Sequence, residues 1–213
     1  MMNLQELVQN KEVRNTIILA ILALAIVGAW FGYKLYSKSY EEGAHNLFAQ
    51  AMQEYNQALQ GDNLSTWKDV EHAFEVAHQK YSKSHLVPYF LTYESDAVLR
   101  QGDEKRALQL MQDAVKNLSS NSPIYYLYKI KLSLMQMDSK DKDIAHQGKL
   151  TLENLAQENA NPYKDMSLYY LGNNAFVNGQ INEAKNSWQK MMQIASKDSV
   201  WANAAHSKLE FLS

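Results

Sequence analysis

"LYYLGNNAFVNGQINEAKNSWQKMM", Leu168 to Met192, contains two helical patterns with a break between them. Leu168, Leu171, Gly172 and Ala175 fall on one helix face, and Ile181, Ala184, Trp188, Met191 and the later Ala195 fall on another. The break is Asn178-Gly179, where glycine tolerates the left-handed backbone of a tight turn. Ala184 is small where the second helix crosses the first, and Trp188, one turn further on, fills the space above that crossing. Such a hairpin has to bury one face against neighbours of the same kind.

The design recurs upstream in "FLTYESDAVLRQGDEKRALQLMQDAV", Phe90 to Val115. Tyr89, Phe90, Tyr93, Ala97 and Val98 form the first pattern, Gly102-Asp103 the break, and Ala107, Leu108, Met111, Ala114, Val115 and Leu118 the second. Gly102 precedes Ala107 by five residues, as Gly179 precedes Ala184, and a large residue follows each alanine by four. The three prolines, Pro88, Pro123 and Pro162, divide the chain at intervals of 35 and 39 residues and read as helix starts, two of them after Ser122 and Asn161. No interval alternates long enough for a strand. The middle interval, Pro123 to Asn161, is the least regular: Ala145 and Gly148 compete for the small crossing position, and "MDSKDKD" replaces a tight turn. Tyr40 to Tyr81 reads as a further pair, with Ala44, Leu47, Phe48, Ala51 and Tyr55 facing Val70, Phe74 and Ala77. Trp201, Ala204, Ala205, Leu209 and Phe211 form a closing helix that caps the stack.

At the other end, "VRNTIILAILALAIVGAWFGYKLYSKSY", Val13 to Tyr40, has 19 uncharged residues between Arg14 and Lys34. At 1.5 Å each these reach roughly 28 Å, close to the hydrocarbon thickness of a bilayer. Ala23-Leu24-Ala25 has the form of a signal cleavage site, but the apolar run continues through Ile26, Val27, Trp30 and Phe31, so retention is the better reading. Trp30, Phe31, Tyr33 and Tyr36 beside Lys34 and Lys38 mark an interfacial end. Ala25, Gly28, Ala29 and Gly32 place small residues on one face, a surface another helix could approach closely. Basic residues flank both ends, and the orientation expected from the translocation of long domains is N-terminus inside. The sequence leaves open whether this helix continues into Tyr40 to Leu59.

Beyond Ser39 there are 17 basic and 21 acidic side chains, a balance of −4, and the whole chain has three arginines. That composition argues against nucleic acid as a partner. There is no cysteine, which removes thiol chemistry, disulfides and cysteine-linked lipids. The six histidines include no HExxH, and His72 and His78 lie about 240° apart around a helix, so no metal site is indicated. No phosphate loop occurs. "DSKDKD", Asp138 to Asp143, lacks the glycine and terminal glutamate of a calcium loop and reads as solvated. No catalytic residue and no cofactor are expected.

The Leu168 to Met192 segment resembles a tetratricopeptide repeat in Leu171-Gly172, Ala175, Gly179, Ala184 and Trp188. The Phe90 to Val115 segment follows it in its second half, but Glu94 stands where leucine is usual and Ser95 where glycine is. One N-terminal span, degenerate repeats and a short final helix ending "KLEFLS" resemble, over nearly the whole chain, the YfgM-type proteins of the bacterial inner membrane. The resemblance implies an ancillary subunit of the SecYEG translocon, with its repeats in the periplasm near a membrane-anchored chaperone of the PpiD type.

The resulting expectation is an all-α chain, an N-terminal transmembrane helix followed by a tetratricopeptide-like helical-hairpin solenoid. Residues 1–14 form a short cytoplasmic tail, 15–36 the span and 37–213 the repeat domain with its capping helix. Repeat stacks curve so that their first helices line a concave face. By repeat phase, Tyr89, Thr92, Asp96, Tyr169, Asn173 and Phe176 point into that groove as candidate protein contacts. The rival readings are an anchored enzyme with a site in the irregular middle interval, and a scaffold facing the cytosol.

Overall fold

The computed structural model describes residues 11–61, 64–196 and 198–212. The described residues form helices and turns, with no strand among them. The helices are α1 (Lys11–Gly61), α2 (Leu64–Lys80), α3 (Val87–Arg100), α4 (Glu104–Lys116), α5 (Tyr125–Met137), α6 (Lys142–Gln157), α7 (Lys164–Val177), α8 (Ile181–Ile194) and α9 (Val200–Phe211). The end of α1 pairs with α2, then α3 with α4, α5 with α6 and α7 with α8, each hairpin packing on the next, while α9 closes against α7 and α8.

α1 is 51 residues long and unbroken. The apolar segment and the first repeat helix are therefore one rod of about 76 Å, and the 36/37 boundary expected from sequence falls inside it. Ile17, Leu24 and Tyr33 in its first part are exposed. Further along, Ala44, Ala51 and Ala58 recur every seventh residue and are buried against Trp67, Val70, Phe74 and Ala77 of α2. The alanines let the two backbones approach, and the larger α2 side chains fill the volume. Tyr40 packs edge-on against Tyr81 at 5.0 Å between ring centroids, and its hydroxyl accepts from the Lys83 amide at 3.3 Å. Glu41 Oε2 accepts from Ser84 Oγ at 2.6 Å and pairs with His85 Nδ1 at 2.8 Å. The turn joining α2 to α3 is thus fastened to α1 immediately beyond the apolar segment.

Hairpin crossings follow the small-residue logic. Gly102 and Gly179 adopt φ of +88° and +75° and turn the chain where expected. Ala107, Met111, Ala184 and Trp188 are fully buried. Ser95 occupies the usual glycine position and donates its hydroxyl to the Ala107 carbonyl at 2.7 Å, so the substitution leaves no polar group unpaired. In the irregular interval the competition resolves in favour of Gly148: a β-carbon there would stand 2.6 Å from the Ser133 carbonyl and 2.7 Å from the Met137 nitrogen. Ala145, one turn earlier, is only half-buried. Within "DSKDKD", Asp141 caps α6, accepting from the Asp143 amide at 2.9 Å.

The prolines mark helix starts with one difference from expectation. Pro88 lies in the first turn of α3, but Pro123 and Pro162 sit two residues ahead of α5 and α7. The Tyr125 amide donates to the Ser122 carbonyl at 3.0 Å, which makes Pro123 the second residue of a β-turn that delivers the chain to the helix. Asn161 acts similarly through its side chain, accepting from the Tyr163 amide at 2.9 Å and donating to the Leu155 carbonyl at 2.8 Å.

Candidate functional site

The first helices of successive hairpins are bridged by aromatic side chains. Phe48 of α1 lies 6.2 Å from Tyr89 and 5.7 Å from Tyr93 of α3, and Tyr89 continues to Tyr128 of α5 at 6.1 Å. Tyr93 stacks on Phe74 at 5.3 Å and meets Tyr55 edge-on at 5.1 Å. Tyr89 and Tyr93 are four apart and share one face of α3, which is why both reach the same neighbours. Phe48, Tyr55, Tyr89, Tyr93 and Tyr128 are all half-buried, forming a ladder across three hairpins. Beside it, Lys131 of α5 is 2.8 Å from Asp96 of α3.

Burial pushes the hydroxyls of Tyr55 and Tyr93 above their ordinary range, and the Asp96 carboxylate adds to both shifts. Burial also raises Tyr128, to about 12, against a hydrogen bond with Thr92 that works the other way. These hydroxyls stay protonated across the physiological range. The ladder thus offers ring faces and neutral hydroxyls next to one acid–lysine pair, a surface suited to peptide backbone and apolar side chains.

The six residues assigned to the groove by repeat phase separate into three groups. Tyr89 and Asp96 lie in or beside the ladder. Thr92 does not reach a surface: it is buried, donating its hydroxyl to the Pro88 carbonyl at 2.8 Å. This is the back-bond a threonine makes within a helix, its hydroxyl adding a second donor to the carbonyl one turn earlier. At the other end of the stack, the closing helix lies on the face assigned to binding. Tyr169 meets Trp201 of α9 at 5.2 Å, and Lys208 of α9 sits over the Phe176 ring at 5.8 Å. Asn173 between them is half-buried, with its side-chain oxygen enclosed. Repeat phase says nothing of what covers a helix face. Phe48, Tyr55, Tyr93, Tyr128 and Lys131 were absent from that list, although the i, i+4 relation of Tyr93 to Tyr89 was the signal that could have found them.

Ala25, Gly28, Ala29 and Gly32 are exposed, and a β-carbon at either glycine would meet nothing within 4 Å.

Glu94, the departure from the repeat pattern, is interior. It is 3% exposed, with Oε1 3.5 Å from Arg106 Nη2 and Oε2 3.9 Å from His78 Nδ1. Arg106 is engaged mainly by Glu71, which also accepts from Gln101 Nε2 at 2.6 Å. Burial raises the Glu94 carboxyl to about 7; Arg106 opposes the shift, and Glu75 and Glu71 add to it. This perturbed acid belongs to the second hairpin rather than to the irregular middle interval where the enzymatic reading sought one.

Stacked antiparallel hairpins with a half-buried aromatic face define a helical-repeat scaffold, a class that binds proteins. The chain belongs to the tetratricopeptide repeat-like domain family, whose profile matches residues 10–213. No curated protein matches it. Its N-terminal helix is long and apolar enough to span a membrane, with a mean hydropathy of 2.2 over its most apolar window.

Proposed function

We propose that the chain is a non-enzymatic scaffold, fixed to a membrane by residues 15–36 and presenting residues 37–213 as a protein-binding domain. The observation that carries this reading is α1, which runs without interruption from the apolar segment into the first hairpin. Tethering acts by effective concentration: a domain confined beside membrane partners needs only modest affinity to engage them. The contacts fall on the ladder around Tyr89 and Asp96, whereas Tyr169 and Phe176 seat the cap. Ala25, Gly28, Ala29 and Gly32 offer a close-packing face to another span.

The resemblance to YfgM-type proteins supplies the particular setting. In this reading the protein is a single-pass component of the bacterial inner membrane, residues 1–14 cytoplasmic and the repeats periplasmic. It assists the SecYEG translocon by linking it to a PpiD-type chaperone and emerging clients. The test places a photoreactive phenylalanine at Tyr89 or Tyr128, and as a control at exposed Lys105 on α4, in the full-length protein within native membranes. Ladder positions are expected to capture translocon or chaperone subunits while position 105 does not; equal yields from both faces refute the binding assignment. Protease digestion of intact and opened cells tests the orientation, with protection of the repeat domain only in intact cells expected.

A further inference from the structure

The junction between α1 and the α2–α3 turn encloses a cleft of about 270 Å³, lined by Tyr33, Tyr36, Ser37, Tyr40, Glu41 and Lys83. We infer that this cleft binds the headgroup of an anionic phospholipid, so that the first repeat rests on the lipid surface through its own turn. The inference rests on the membrane-anchor reading above.

Position comes first. The uncharged run ends at Lys34, and because α1 continues straight through, the next two turns stand directly above the hydrocarbon edge. A headgroup layer adds about 5–7 Å on each side of the hydrocarbon, the rise of four to five helical residues. The cleft, at residues 33–41, begins in that layer and reaches about 10 Å beyond Lys34. It is built by folding and not by the helix alone, since Lys83 comes from the turn fastened through Tyr40 and Glu41.

Charge comes second. Lys83 lines the cleft and has no acidic partner among the described residues. Nearby, Lys80 lies over the Tyr81 ring at 5.6 Å and Lys34 over the Trp30 ring at 5.3 Å. Glu41, the acid in the wall, is already engaged by Ser84 and His85. Lys38 is the cation with an acidic partner there, Glu42 at 3.7 Å in a fully solvated pair. Four lysines against two acids, one of them internally occupied, leave a basic collar on an otherwise acidic domain. Exposed Tyr33 and Tyr36 add hydroxyl donors and ring faces of the kind that settle at headgroup depth. The chemistry recognised is a phosphodiester carrying net negative charge, with the glycerol backbone below it; the cleft is small for a folded peptide.

The test uses the full-length protein in vesicles of phosphatidylcholine alone and of phosphatidylcholine with phosphatidylglycerol in equal parts. Alkali-resistant flotation reads the anchor; if the protein does not float, the membrane reading fails and not the headgroup site. Lipid retained after detergent extraction, read by native mass spectrometry, reports the site. Each lysine beside an anionic surface contributes roughly fivefold, so phosphatidylglycerol is expected to be retained over phosphatidylcholine by about an order of magnitude. In K80Q/K83Q that preference should collapse toward unity, while K149Q/K190Q, far along the stack, retains it. Circular dichroism of K80Q/K83Q confirms folding, and Tyr36→Phe, which removes only a hydroxyl, provides a milder loss. Equal retention of the two lipids by the unmodified protein, an unchanged preference in folded K80Q/K83Q, or displacement of the lipid by soluble glycerol phosphate at matched concentration would overturn the inference.

Discussion

Replacing Glu94 by Gln should stabilise the protein increasingly as pH rises above about 4.5, with the full effect reached above pH 7. The carboxyl ordinarily titrates near 4.5 and is raised to about 7 in the fold. Between those values the folded chain holds a proton that the unfolded chain has released. For this group, stability is fully present below pH 4.5 and is lost as pH rises through 7, a loss of about 3 kcal/mol over the window. Gln has nearly the same volume and is neutral throughout, so Glu94→Gln removes that slope. Arg106 loses little, because Glu71 remains its principal partner. His78 acts in the opposite sense: burial lowers its pKa, so its contribution is present above its ordinary 6.5 and is lost as pH falls. His78 is present in both proteins, so the comparison reads Glu94 together with its 3.9 Å contact to His78. Urea denaturation of the full-length proteins in detergent micelles, followed by circular dichroism, should give near-equal midpoints at pH 5 and a midpoint about 1 M higher for Glu94→Gln at pH 8. Parallel pH profiles for the two proteins would refute the reasoning, because they would mean that Glu94 ionises as easily inside the fold as in water.

Gly148→Ala should destabilise by about 1–3 kcal/mol, since the new methyl group meets backbone atoms of α5 that cannot rotate away; the urea midpoint measures it. Trp188→Ala should cost about 3–5 kcal/mol and loosen α9, read as faster amide exchange over Val200–Phe211, because the indole joins α7, α8 and the cap in one cluster. Ser39→Pro should break α1 at a cost of about 3 kcal/mol or more. Spin labels at Leu22 and Gln50 should then show a broad distance distribution in place of a narrow one.

The repeat architecture was legible because its determinants are local. Gly102 and Gly179 set the turns, and Ala107, Ala184, Met111 and Trp188 obey spacings that need no knowledge of the neighbours. The pairing of Ala44 and Ala51 with Val70 and Phe74 followed from the same periodicity. What escaped was contextual. Ala145 and Gly148 are both small, and only the approach of the Ser133 and Met137 backbone decides between them. Thr92 occupies a phase that points toward the groove, but Pro88 and Tyr128 draw it inside. Tyr169 and Phe176 have the right phase as well, yet the last repeat is where a solenoid must stop, and α9 covers what an internal repeat would leave open. Glu94 stood out in the sequence as a breach of the pattern; that it is enclosed by Glu71, Glu75, His78 and Arg106 required the packing of three helices. Continuity of α1 was undecidable from composition, because Tyr33 to Tyr40 suits an interfacial helix and a linker equally well.

In the proposed membrane-anchored arrangement one rod serves as both stem and first repeat, so the heading of the aromatic face about the bilayer normal is written into a residue count. Adding a single residue between Lys34 and Tyr40 would swing the whole solenoid by about 100° and raise it by about 1.5 Å, whereas adding seven would restore its bearing to within about 20° at greater height. Homologous chains that share a docking geometry should therefore vary in the length of this neck by whole pairs of turns, even where its side chains differ.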